Sequence, residues 1–275
     1  MHYLNGKIAV VTGAGSGIGR ELALQLNQAG CRLHISDISP DGLAGTVGLL
    51  PRQDVPAESH ILDVADKAAV HAWAERIGEV DGHVDVVINN AGVALMSKVE
   101  DMRYDDIEWL MGINFWGVVY GTQAFLPLLR LASQGHLVNI SSVFGLIGVP
   151  TQSAYNAAKF AVRGYTEALR QEMAGSNVHV CCVHPGGIKT NIARAARSSD
   201  AKTSADERAE AFEKAAGTPA SDAAKQIINA IEQRRTRLLI GKDALLISFV
   251  TRLFPVRYPR LIEILVKASA ALNRS

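Results

Sequence analysis

The sequence predicts an α/β fold: a single domain built on a doubly wound, seven-stranded parallel sheet with helices on both faces. Three observations predict it. Apolar runs of strand length recur seven times, segments of helical period separate them, and the run Val84-Asp85-Val86-Val87-Ile88 is apolar enough for the centre of a sheet covered on both sides. Strands that alternate with helices pair in parallel, because each helix carries the chain back to the starting edge. A chain of 275 residues is within the size of one such domain.

The first strand is Ile8–Val11, and a glycine-rich turn leads from it into a helical pattern at Arg20–Ala29. The second strand, Leu33–Ile35, runs on to Asp37. Ser39-Pro40-Asp41 then opens a helix: serine caps, proline suits the first turn and aspartate favours the positive helix end. His60–Leu62, Val84–Ile88, Leu137–Ile140, Val178–Val183 and Leu238–Ile240 supply the remaining strands, with long helices expected around 104–130 and 153–174. Residues 191–218, rich in Ala, Ser, Arg, Lys and Glu and without a large apolar anchor until Phe212, read as a mobile lid with short helices. Residues 1–241 make up the domain, and 242–275 a helical extension in which Ala244–Val250 is apolar and prolines 255 and 259 precede Leu261–Leu272.

Composition narrows the function. Lys and Arg number 28 against 27 Asp and Glu, so no overall field draws the chain to nucleic acid. Cys31, Cys181 and Cys182 have no CxxC spacing and are odd in number, which fits a reduced, cytoplasmic protein. The amino-terminal residues MHYLNGKIAVVTG read as a strand rather than a signal peptide, and no run reaches the about 18 apolar residues of a membrane span.

The chemistry gathers at the carboxyl ends of the strands, where such sheets bind ligands. In Thr12-Gly13-Ala14-Gly15-Ser16-Gly17-Ile18-Gly19 the glycines allow a tight turn, a close backbone approach to a pyrophosphate and helix amides that face an anion. Asp37 stands where a carboxylate accepts hydrogen bonds from an adenosine ribose, and no arginine follows it, which argues for NAD over NADP. Asp63-Val64 could bracket an adenine, or Asp63 could be a turn or cap residue; Asn89-Asn90-Ala91-Gly92 could line the binding edge or be a plain turn. His184 lies at a strand end, but no histidine shows metal-ligand spacing, and no metal site is expected.

Tyr155 and Lys159 are four residues apart in a helical pattern and share a helix face, where an ammonium lowers a phenol pKa toward a useful range. Spacing alone means little: Tyr3 and Lys7 share it ahead of a strand. Ser142, thirteen positions before Tyr155 at the end of the fifth strand, could hold a substrate oxygen or merely form a turn, and Asn114 could be a functional or a satisfied core amide.

Taken together, the glycine-rich turn, Asn89-Asn90-Ala91-Gly92, Asn114, Ser142, Tyr155-x-x-x-Lys159 and Pro185-Gly186-Gly187-Ile188-Lys189-Thr190 closely resemble the short-chain dehydrogenase/reductase family over about residues 5–241, with its Rossmann-type fold. The resemblance implies that Tyr155 exchanges a proton with the substrate oxygen, Lys159 also bonds the nicotinamide ribose, Ser142 orients the carbonyl and Asn114 holds a proton-relay water. It implies that Thr190 and the Ile188 backbone hold the nicotinamide carboxamide. The expected reaction interconverts a secondary alcohol and a ketone. The apolar wall Val143, Phe144, Leu146, Ile147 and Val149 suggests a bulky, lipid-like, steroid or aryl substrate; small hydroxyketones and a non-catalytic NAD(H) sensor are the alternatives. A homodimer or homotetramer is implied through the helices at 104–130 and 153–174, and the apolar stripe after residue 241 is read as a pocket cover or protein contact in preference to a membrane contact.

Overall fold

In a computed structural model, which describes residues 3–199 and 204–262, the seven expected strands form one sheet. They are β1 (Ile8–Thr12), β2 (Arg32–Asp37), β3 (Ala57–Ile61), β4 (Val86–Asn89), β5 (Gly135–Ile140), β6 (Val178–Pro185) and β7 (Arg237–Ile240). Their spatial order is β3-β2-β1-β4-β5-β6-β7 and every pairing is parallel. The order reverses between β1 and β4, so the crevice at their carboxyl ends is the place where this topology leaves room for a ligand.

The helices are α1 (Gly17–Gln28), α2 (Pro40–Gly48), α3 (Lys67–Asp81), α4 (Tyr104–Met111), α5 (Gly117–Leu131), α6 (Ser153–Glu172), α7 (Ala205–Ala215), α8 (Ala220–Glu232) and α9 (Lys242–Leu253). Side chains alternate across a strand, and those of β1 accordingly divide between two cores. Ala9 and Val11 enter one core with Leu22 and Leu26 of α1 and Ile227 and Ile231 of α8. Ile8 and Val10 enter the opposite core with Trp73 and Ile77 of α3, Phe125 and Leu129 of α5 and Leu169 of α6. Ser39 caps α2 as expected, its hydroxyl accepting from the Gly42 amide at 3.0 Å with Pro40 in the first turn.

Three expectations shift. The third strand is Ala57–Ile61 rather than His60–Leu62: as the edge strand it pairs only with β2 and exposes most of its side chains, so no apolar run marks it. The fourth begins at Val86; Asp85 before it bonds Ile8 and His136 through its backbone and uses its carboxylate on the Ile8 amide at 2.9 Å and the Lys7 ammonium at 2.8 Å. The expected helix at 104–130 is interrupted by a wider π turn at Gly112–Trp116.

The expected lid contains α7, whose start is fixed by a capping box of Ser204 and Glu207. Its first part is tied down: Arg197–Ser198 pairs with Leu95–Met96, and the Arg197 guanidinium bonds Asp106 and lies 3.8 Å over the Trp109 ring. Arg194 pairs with Asp206. Residues 200–203 of the lid, and 263–275 of the extension with most of the predicted Leu261–Leu272 helix, lie outside the described residues. Among the described residues no helix is long and apolar enough to cross a membrane.

Candidate active site

The glycine-rich turn is held by β4. Asn90 donates through Nδ2 to the Thr12 carbonyl at 2.9 Å, and the Asn90 and Ala91 amides both donate to the Thr12 hydroxyl, at 3.0 and 3.1 Å. Gly13 sits at φ +68°, and a Cβ there would lie 2.7 Å from the Ala91 Cα; at Gly19 it would lie 2.0 Å from the Gly13 carbonyl oxygen. No side chain fits at either position, which is why β1, the turn and α1 can close so tightly. Ser16 occupies the N-cap of α1 in extended conformation, yet its side chain makes no capping bond, so the first amides of α1 stay available to an anion. Ile18 turns the other way and packs on the core.

Asp37 faces this turn. Its Oδ2 accepts from the Gly15 amide at 2.8 Å and its Oδ1 from the Ser39 amide at 2.9 Å. Arg20, the cation beside it, donates to the Gly15 and Gly42 carbonyls and to the Thr46 hydroxyl. Asp63 makes a local turn, accepting from the Ala65 amide at 2.9 Å, while Val64 is buried against Gly117. Across the crevice, Thr190 brings its methyl group to within 3.1 Å of a Cβ placed at Gly17, so the segment after β6 meets the glycine-rich turn. Pro185 ends β6 opposite Ile240, the Gly186 amide donates to the Ile240 carbonyl at 2.9 Å, and the Ile188 backbone pairs with Thr218.

Four polar residues converge beside it. The π turn points Asn114 into the protein, fully buried: its Oδ1 accepts from the Val93 amide and its Nδ2 donates to the Val93 carbonyl, both at 2.8 Å. A Cβ at Gly92 would touch both the Asn114 Oδ1 at 3.2 Å and the Lys159 Nζ at 3.5 Å, so these two residues close around the Asn89–Gly92 segment. Lys159 donates to the Ile140 carbonyl at 3.0 Å and lies 5.7 Å from the Tyr155 ring centre. Ser142 accepts from the Phe144 amide at 3.1 Å and is also hydrogen-bonded to Tyr155.

The electrostatics differ from the expectation of a lowered tyrosine pKa. Burial pushes the Tyr155 phenol up to about 12, with the Ser142 hydrogen bond pulling the other way. Burial also pulls the Lys159 ammonium down to about 8. The lysine spends a hydrogen bond on Ile140, and desolvation is the largest cause for both groups. The Tyr155 phenol therefore keeps its proton at neutral pH. His184 is buried with Nδ1 3.1 Å from the Ser142 carbonyl, and burial lowers it to about 4: it supports the serine's backbone as a neutral ring. No group of metal-binding side chains occurs among the described residues.

Several supporting contacts escaped the sequence reading. Asn156, beside the tyrosine, donates to the Phe144 and Ile147 carbonyls at 2.8 and 2.7 Å and accepts from the Val149 amide at 3.0 Å, which fastens the apolar wall to α6. Ser141 donates to the Lys159 carbonyl at 2.8 Å. Buried Asn89 donates to Asn139, which donates to Thr166, joining β4, β5 and α6. The readable signal was a polar residue on the inward stripe of an amphipathic helix, where Asn156 lies three positions before Lys159. From the extension, Ala244 and Ile247 pack on Val143, Phe144 and Leu146, the Gly148 amide donates to the Tyr258 hydroxyl at 2.8 Å, and the Gly187 amide to Asp243 at 2.8 Å. No sequence pattern announces those long-range partners.

Comparison with known proteins agrees with this geometry. The short chain dehydrogenase family matches residues 7–201. A Mycobacterium tuberculosis protein named SadH, described only as an oxidoreductase, is 47% identical over 267 residues, covering 95% of this chain and 96% of its own. A 3-ketodihydrosphingosine reductase of Bacteroides thetaiotaomicron is 36% identical over 186 residues, 68% of this chain and 65% of its own. Among solved structures, a short chain dehydrogenase/reductase from Burkholderia phymatum in complex with NAD superposes with a TM-score of 0.84 at 32% identity, over 92% of this chain and 95% of that one. With the family match spanning residues 7–201 and the sheet in this order, the chain belongs to the short-chain dehydrogenase/reductase family of oxidoreductases.

Proposed function

We propose that the protein is an NAD(H)-dependent dehydrogenase/reductase that interconverts a secondary alcohol and a ketone of bulky, apolar character. The observation that carries this reading is the meeting of Ser142 and a protonated Tyr155 beneath an apolar wall, with Lys159 one helical turn away. The glycine turn fits a dinucleotide: the uncapped amides of α1 suit its pyrophosphate, and Asp37 suits its adenosine ribose. Gly13, Gly15, Ser16, Gly17, Ile18, Gly19, Asp63, Val64, Asn90, Ala91 and Gly92 would line one half of that cofactor, and Pro185, Gly186, Ile188 and Thr190 the nicotinamide half. Arg20 spends its guanidinium on carbonyls rather than on the place of a 2′-phosphate, which favours NAD.

The cofactor, when bound, supplies the hydride. The chain supplies the rest. Ser142 holds the substrate oxygen, Tyr155 gives it a proton as a ketone is reduced and takes one back in the reverse direction, and Lys159 steadies the charge on the phenol oxygen. Asn114 pins the segment through Val93 against which Lys159 rests. The described parts of the lid, 191–199 and 204–218, and of the extension, 242–262, would bound the substrate side; contact of α9 with Val143 and Leu146 supports a covering role. The relative that acts on a ketosphingoid base supports a lipid-like substrate.

The test is an NAD+-linked oxidation screen over alcohols graded in size and apolarity. Tyr155→Phe is expected to abolish turnover on every active alcohol and to leave NADH binding, read by fluorescence, intact. Turnover that persists in that variant overturns the assigned mechanism.

A further inference from the structure

Helix α9 is apolar on two opposite faces. The inner one is accounted for: Ala244 and Ile247 pack on the apolar wall. The outer one has no cover among the described residues. Leu245, Leu246, Phe249 and Leu253 recur at helical spacing and form one stripe, with Leu245 57% and Phe249 63% exposed. Phe254 and Val256, the latter 86% exposed, carry the surface past the helix end. Apolar side chains so grouped form a patch rather than the single scattered residues normal on a surface.

Charge says what covers it. Lys242, Arg252, Arg257 and Arg260 are all exposed along the same segment. Its single described carboxylate in residues 242–262, Asp243, is engaged by the Gly187 amide. A symmetric contact between two copies would set these cations against their own counterparts with no carboxylate of the segment to pair them. A lipid surface with anionic headgroups meets both needs at once, hydrocarbon for the stripe and phosphates for the cations.

We propose that residues 242–262 dock the protein on an anionic lipid surface, with Leu245, Leu246, Phe249 and Leu253 in the acyl boundary and the cations among the phosphates. Because α9 lies directly on Val143 and Leu146, the wall of the active site is then one helix diameter, roughly 10 Å, from the lipid. The docking stands whatever the substrate proves to be.

The test is co-sedimentation of the full chain with vesicles of phosphatidylglycerol and phosphatidylcholine, and with phosphatidylcholine alone. The chain is expected to pellet with the anionic vesicles, far less with the neutral ones, and to be released by salt. The double variant Leu246→Glu with Phe249→Glu should stay in the supernatant with an unchanged Tm. Arg252→Gln and Arg257→Gln leave the apolar stripe intact and should each weaken partitioning about fivefold. A wild-type chain that ignores anionic vesicles overturns the proposal. So does a dimer that the double variant splits without any vesicle binding, which means that a second copy covers the face. Vesicle binding by a chain ended at Ile262 but not by the full chain also overturns it, because residues 263–275 then cover the stripe.

Discussion

Replacing Asn156 by alanine tests whether the apolar wall is held by α6 or merely rests on it. Three main-chain groups lose their partner: the carbonyls of Phe144 and Ile147 and the amide of Val149. A net contribution of about 1 kcal/mol per hydrogen bond sets a ceiling of roughly 3 kcal/mol. Phe144 and Val149 are partly exposed, so water can take over two of the three, whereas Ile147 is buried and its carbonyl is left bare. The expected loss is thus about 1–3 kcal/mol, most of it the bare carbonyl, and with an unfolding entropy near 2.1 cal/mol/K per residue Tm should fall by about 2–5 °C. Calorimetry measures the Tm and initial-rate kinetics the accompanying rise in KM, since a loosened wall no longer presents a fixed surface to the substrate. Asn156→Asp sharpens the test: a carboxylate facing two carbonyl oxygens is raised in pKa, so its damage should grow as pH rises from 5 to 8. An unchanged Tm and KM in Asn156→Ala, or an aspartate variant as stable as the parent at alkaline pH, would refute the reasoning.

Asp37→Ala should raise the KM for NAD+ about tenfold or more through the loss of charged hydrogen bonds and narrow the gap to NADP+, read as the ratio of kcat/KM values; an unchanged ratio removes Asp37 from cofactor choice. His136 and His184, both lowered from 6.5 to about 4 chiefly by burial, stay neutral in the fold while the unfolded chain takes protons near 6.5. Their contribution is therefore whole above pH 6.5 and is lost as pH falls toward 4, at about 1.4 kcal/mol per pH unit for each; urea titrations of His136→Phe should show that slope reduced by one proton. Lys159, lowered to about 8, should give ketone reduction an alkaline limb as it deprotonates, and Lys159→Met should remove the limb along with most of the rate.

How far the sequence could be read depended on whether the determining interaction was local. The glycine turn and the Tyr155–Lys159 pair are legible because sterics and helical spacing act within a few residues. The Ser39 cap is legible for the same reason, and the structure shows it bonded to Gly42. The β3 strand was misplaced because an edge strand buries little and has no apolar run to show. The π turn at Gly112–Trp116 is invisible in a pattern that continues as helical on both sides. The reversal at Tyr155 comes from desolvation, which belongs to the folded enclosure and not to the spacing. Asp243 and Tyr258 find partners some fifty and a hundred residues away, and no local rule points to them.

The packing of α1 against α8 bears on how the chain comes into being. Leu22 and Leu26 share a core with Ile227 and Ile231, and Gln25 donates across the same junction to the Ser221 carbonyl at 2.9 Å. During synthesis the amino-terminal helix leaves the ribosome some two hundred residues before the helix that covers it, and β1 must likewise wait for β4 to fill its other edge. A nascent chain therefore carries a bare apolar flank for most of its translation, at five to twenty residues per second a matter of roughly ten seconds or more. Truncation before residue 220 should accordingly yield aggregates rather than a smaller folded unit, and the demand on holding chaperones is written into the order of the strands.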